Sequence, residues 1–166
     1  GDLNKGFQYI AEALDIERFS MFTFSPIRGR MELLCDYVKT AKRDGKPLKD
    51  DPVIRQKIAQ LTTELEVARV LGVRFVDAAL NSTKTPTVEA SHYKLYATEL
   101  SRRIADTTMD IVGPGAQLAL HTEDAPLKGR SESCYTYTVI DTIGGGSSEV
   151  QRNIIATRGL GLPRNF

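Results

Sequence analysis

Tryptophan is absent from this 166-residue chain, and cysteine and histidine occur only twice each. Cys35 and Cys134 stand far apart with no CxxC pair, which speaks against both a zinc site and a disulfide scaffold. His92 and His121 have no cysteine or carboxylate at ligand spacing, so they read as surface or packing residues and no metal is expected. Charge of one sign is missing too. Lys and Arg number 22 against 21 Asp and Glu, a formal net charge of +1, and this balance favours neither nucleic acid nor a charged membrane surface as partner. No apolar run has the length to cross a bilayer, so no membrane partner is expected, and the opening GDLNKGF has neither an initiator Met nor a secretory leader. Together these absences predict a cytoplasmic setting and a chain excised from a longer protein. There is no GxSxG nucleophile elbow and no Gly-Lys-Ser/Thr of a phosphate-binding loop.

What is present is helical periodicity. From Asn4 to about Thr40, Phe7, Ile10, Leu14, Met21 and Phe24 recur at helical spacing, and Pro26 and Gly29 should kink or divide the segment. The charged stretch Ala41 to Pro52 is a loop. A second helix follows, with Val53, Ile58, Leu61, Leu65, Ala68, Leu71, Phe75 and Ala79 near a 3.6-residue period. A third runs from about Val88 to Ile111, and a fourth from about Ser148 to Arg158, closed by Gly159 and Gly161. Residues 113–146 show no sustained period, apart from a weak strand signal in CYTYTVI, Cys134 to Ile140. Loops of that length are usually functional. The expected fold is all-α: an up-and-down four-helix bundle in one domain spanning residues 1–166.

Two features carry chemistry. The first is GGGSSE, Gly144 to Glu149, running into the last helix. Glycines ahead of a helix let backbone N–H groups approach an anion. Equally, Ser148 and Gln151 have the spacing of a capping box, which would make the run a plain turn. The second is Glu17, centred on the arc formed by Ile10, Leu14, Met21 and Phe24 at about 100° per residue. A carboxylate on an apolar face is desolvated, which makes it a better proton acceptor. The alternative is a helix apolar on several sides, with Glu17 paired to an arginine such as Arg18.

These residues resemble a known family. Gly144 to Arg164, GGGSSEVQRNIIATRGLGLPR, is similar to the end of an acyl-CoA dehydrogenase, whose last helix opens Gly-Thr/Ser-Ser-Glu-Ile/Val-Gln-Arg. LDIER at Leu14 to Arg18, DDPVIRQKIAQL at Asp50 to Leu61 and DIVGPGA at Asp110 to Ala116 resemble further segments of the same family. The resemblance covers the C-terminal helical domain and implies that an N-terminal helical domain and a middle β-domain are absent from this chain. It also implies FAD as cofactor, oxidation of an acyl-CoA to the trans-2-enoyl-CoA, and electron transfer to an electron-transferring flavoprotein.

Many members keep the base immediately before Gly-Thr-Ser, where this chain has Gly145. Members resembling the isovaleryl-CoA and long-chain enzymes place it in an early helix before an arginine, which matches Glu17 before Arg18. Asp15, Ile16 and Arg18 match substrate contacts. Ser147, Ser148 and Glu149, and Asp110, Ile111, Val112, Gly113 and Pro114, match flavin contacts that are often made across a subunit interface. The family's Arg-x-x-Phe-Gly appears here as Ala41-Lys42-Arg43-Asp44-Gly45, and Asp110 and Pro114 replace a usual Gln and Gly. An acid beside a pyrophosphate repels it. The pattern resembles actinobacterial members assembled as α2β2 heterotetramers on bulky substrates such as steroid side-chain CoA thioesters, with a homotetramer as the alternative. Two rivals stand beside this reading. One is a non-catalytic partner subunit or oligomerisation module, and the other a family member acting on a nitro compound, a DNA-damage product or another non-acyl substrate.

Overall fold

The computed structural model describes residues 1–21, 24–83 and 85–164. Six helices carry the fold: α1 (Gly6–Met21), α2 (Phe24–Thr40), α3 (Pro52–Asn81), α4 (Thr87–Val112), α5 (Arg130–Asp141) and α6 (Ser148–Ile154). A two-stranded antiparallel hairpin, β1 (Lys42–Arg43) and β2 (Lys46–Pro47), links α2 to α3. A π-helical turn, Ile155–Gly159, widens the chain after α6. Among the described residues no helix is long and apolar enough to cross a membrane.

The local causes are readable. Asp51 caps α3 by accepting from the backbone N–H of Val53 (2.8 Å) and Ile54 (3.2 Å), and Pro52 occupies the first turn, where a missing N–H costs nothing. Pro26 likewise falls in the first turn of α2, which therefore continues through Gly29 instead of dividing there. The early segment is two helices, but the expected break at Pro26 and Gly29 is not where they part.

α4 is the central helix and touches α1, α2, α3, α5 and α6. One of its sides is apolar: Tyr93, Ala97, Leu100, Ile104 and Ile111 pack with Ile27, Met31, Leu34 and Val38 of α2 and Ile54, Leu61, Leu65 and Ala68 of α3. α3 and α4 run antiparallel, with Lys57 paired to Asp110, Glu64 to Arg103 (2.7 Å), and Gly72 facing the Tyr93 ring. Arg103 is thus tied to a neighbouring helix, and Arg102 lies over the Tyr135 ring at 4.3 Å.

The segment read as a loop contains a helix. α5 occupies 130–141, including the weak strand signal, because its buried residues Ser131, Thr138 and Asp141 form a polar face that no apolar period reveals. Gly129 initiates it at φ 73°, where an added Cβ would lie 2.2 Å from the Ala119 carbonyl oxygen. Gly129→Ala should therefore cost about 2–4 kcal/mol, combining left-handed strain with a backbone clash. Gly45→Ala, at φ 79° with open space around it, should cost only the strain of about 1–2 kcal/mol. Urea unfolding of both variants checks the difference.

Candidate functional site

The other side of α4 is polar. Thr87, Ser91, Lys94, Thr98 and Ser101 recur at spacings of four and three, which keeps them on one face. All but Thr87 are fully buried. Thr98 donates back to the Lys94 carbonyl at 2.9 Å. Ser101 meets Arg30 of α2 and donates to Asp141 of α5 at 3.5 Å, and Arg30 pairs with Asp141 at 3.4 Å. Burial pushes the Asp141 carboxyl up, opposed by the Arg30 guanidinium.

The glycine run packs against this face. Ser148 N–H donates to the Thr142 carbonyl at 3.1 Å and closes the loop, while Gly145 (φ 66°) and Gly146 (φ 98°) take left-handed backbone. Their carbonyls point inward. Gly145 O accepts from Arg18 Nε (2.8 Å) and Gln151 Nε2 (3.2 Å), and Gly146 O accepts from Lys94 Nζ (2.8 Å) and Gln151 Nε2 (3.1 Å). Across a trans peptide the N–H opposes the C=O, so the N–H groups of Gly146 and Ser147 face outward. The capping box is not formed. Ser147, not Ser148, is the N-cap and accepts from Val150 N–H at 3.4 Å, and Gln151 turns inward to the loop carbonyls. Glu149 is exposed at the helix mouth, its carboxyl held low by the Ser147 hydroxyl and its own backbone N–H.

α1 brings a buried ion pair to the same place. Arg18 bonds Asp15, both side chains under 10% exposed (8% and 6%), and Asp15 also accepts from Thr87 at 2.5 Å. Asp15 lines a pocket of about 280 Å³ with Phe75, Ala79, Ser82, Thr83, Thr85 and Pro86. Glu17 points elsewhere. It is exposed, as are Phe7 (84%) and Ile10 (60%), whereas Leu14 is half-buried and the side chain of Met21 lies outside the described part, so the first half of the stripe does not face the core of this chain. The expected desolvation of Glu17 is not supplied here, because α1 docks on α4 through the face carrying Asp15 and Arg18, roughly a third of a turn round at about 100° per residue. The side chain of Ile16 lies outside the described part.

Asp110, Ile111, Val112, Gly113 and Pro114 sit at the other end of α4. Roughly 24 Å of helix separates Lys94 from Asp110, at 1.5 Å per residue, so one chain does not bring the two proposed flavin-contact groups together. Asp110 is exposed and paired with Lys57, and Arg43 donates to the Ile111 carbonyl at 2.6 Å. A helix C-terminus beside an acid repels a pyrophosphate, and the nearest cations are engaged. This end does not fit that part of FAD. The loop end is the better match: two outward N–H groups are open to an acceptor on a ligand, while the missing Cβ of Gly146 makes room for this chain's own Gln151 amide, which a Cβ would meet at 2.8 Å.

Lys94 was not singled out in the sequence, and Gln151 only as a capping partner of Ser148. The signal for Lys94 was a small-polar stripe on an otherwise apolar helix, with the lysine at its centre. Burial, then the nearby Arg18, push the Lys94 ammonium down to about 8, opposed by Asp141, Glu99 and Glu149. His92 and His121 are exposed.

Comparison with known proteins fits this architecture. Residues 4–160 match the family model "Acyl-CoA dehydrogenase, C-terminal domain". The acyl-CoA dehydrogenase FadE26 of Mycobacterium tuberculosis is 29% identical over 99% of the chain and 42% of its own length. The ChsE4-ChsE5 complex from Mycobacterium tuberculosis superposes with a TM-score of 0.76 at 30% identity, covering 87% of this chain and 36% of that one. The Tcur3481-Tcur3483 steroid ACAD superposes with a TM-score of 0.86 at 27% identity, covering 99% and 42%. This chain thus spans less than half the length of these relatives. It belongs to the acyl-CoA dehydrogenase family, matching the C-terminal helical domain over nearly its whole length.

Proposed function

We propose that the chain is the C-terminal helical domain of a flavin-dependent enzyme that oxidises an acyl-CoA thioester to the trans-2-enoyl-CoA, with Glu17 as the base. The observation that carries this is the Arg18 Nε bond to the Gly145 carbonyl at 2.8 Å. It supports a site in which the step from Glu17 to Arg18 and the loop position 145, the two places where relatives keep their base, converge. Gly145 has no side chain to act, so the proton from the α-carbon goes to the Glu17 carboxylate. FAD, when bound, supplies the acceptor for the hydride leaving the β-carbon.

The chain's own residues prepare the site. Asp15 and Arg18 fix the register of α1 on α4, so Glu17 stands on the face turned away from the bundle. There the substrate and the N-terminal and middle domains of the subunit provide the water exclusion that a carboxylate base needs. Asp15, Ile16 and Arg18 flank the acyl-CoA as the neighbours of Glu17 in α1, Asp15 and Arg18 from the buried side of the helix. The outward N–H groups of Gly146 and Ser147, with Ser148 and Glu149, meet the cofactor, and electrons pass on to an electron-transferring flavoprotein.

A second observation favours a heteromeric assembly. The engaged cations and the acidic end of α4 suit a subunit that does not hold its neighbour's pyrophosphate, and two of the relatives are named as subunit pairs. A bulky or steroid acyl-CoA as substrate fits the same neighbours. The test uses the protein with its domains complete: anaerobic mixing with a saturated acyl-CoA should bleach the bound flavin and give the enoyl-CoA. Flavin that stays oxidised against straight-chain, branched and steroid thioesters would refute the activity. One flavin per subunit in a homotetramer would refute the heteromer.

A further inference from the structure

We propose that Lys94 is a positioning residue: its bond to the Gly146 carbonyl fixes the Thr142–Ser148 loop to the central helix, and so sets where residue 145 and the outward N–H groups of Gly146 and Ser147 stand. Three consecutive glycines carry no side chain by which the loop can be anchored, and glycine loses more conformational freedom on ordering than any other residue. The loop is therefore held by what reaches its carbonyls. Among the described residues three side chains do: Arg18, Lys94 and Gln151.

They are not equivalent. Gln151 lies in the segment that follows the loop, so its bonds persist if loop and α6 shift as a unit. It also spreads one amide nitrogen over two carbonyls at 3.1 and 3.2 Å. Arg18 ties the loop to α1 and is shared with Asp15. Lys94 joins the loop to α4, the helix against which every other helix packs. Its side chain is fully buried. A methionine of similar length would fill the same space without the cost of burying an ammonium. What lysine adds at this point is the donor to Gly146. The charged groups described around that ammonium include Arg18 of α1, Glu99 of α4, Asp141 of α5 and Glu149 of α6.

The consequence for proton abstraction rests on the proposed function, but the positioning role does not, and hydrogen exchange tests it alone. The amides of Ser148, bonded to Thr142 O at 3.1 Å, and Gly144, bonded to Ile140 O at 2.9 Å, report on the loop, and those of Leu65 and Ile104 report on the core. In the intact protein, Lys94→Met should speed exchange at Ser148 and Gly144 about tenfold or more, the loss of one hydrogen bond to a charged donor. The Leu65 and Ile104 amides should stay as they were. Lys94→Arg, which keeps a donor, should restore part of the protection at Ser148. Unchanged exchange at Ser148 in Lys94→Met overturns the proposal, and so does equal acceleration at loop and core, which would mean that Lys94 only packs. Neither result touches flavin bleaching by the unmodified protein, on which the enzymatic reading stands or falls.

Discussion

Glu17→Gln in the flavin-loaded protein is expected to slow bleaching by a saturated acyl-CoA by about 10²–10⁴-fold, the usual contribution of a positioned general base. Exchange of the substrate's α-proton with solvent deuterium should fall with it. The substitution is close to isosteric and the side chain is exposed, so the unfolding midpoint should stay where it was. That combination separates chemistry from folding. Among the described residues of α1, the buried contacts of Asp15 and Arg18 remain in place. If α-proton exchange continues at the unmodified rate, another group takes the proton and the assignment of Glu17 fails.

The second large effect is on stability. Arg18→Met should cost about 3–5 kcal/mol in urea unfolding, because it leaves the Asp15 carboxylate buried with, among the described residues, the Thr87 hydroxyl as its remaining partner. The charge left behind, more than the pair itself, sets the size. Removing both charges, as Asp15→Leu with Arg18→Met, should recover most of the loss. An exposed pair gives the contrast. Arg28 and Glu32 lie 2.7 Å apart with side chains 62% and 58% exposed, and Arg28→Met should change stability by no more than about 0.5 kcal/mol. Equal effects of Arg18→Met and Arg28→Met would mean that the Asp15 pair is solvated in solution.

Much of the bundle was legible because its apolar side obeys a period. α3 and α4 were expected at Val53–Ala79 and Val88–Ile111, and they span Pro52–Asn81 and Thr87–Val112. α5 was not legible. Its buried side is Ser131, Thr138 and Asp141, and Asp141 meets Ser101 on the polar side of α4 and Arg30 of α2. Hydrophobic periodicity registers burial only where the buried side chains are apolar, and here both partners are polar. The same blindness hid Lys94. Glu17 shows the converse limit. Its apolar stripe is real as a pattern, yet the bundle docks α1 by another face and leaves Phe7 and Ile10 exposed.

By itself, then, the sequence determined the class of fold, most helix limits and, through GGGSSEVQR and LDIER, the family. Those depend on local propensity, capping residues and short motifs, which act within a few residues of one another. Only the tertiary structure decided which face of α1 is buried, that Gln151 and Lys94 serve the loop carbonyls, and that Asp110 lies far from Ser147. Each of these joins residues distant in the chain, through hydrogen bonds whose donors and acceptors carry no mark of their partners until the helices are packed.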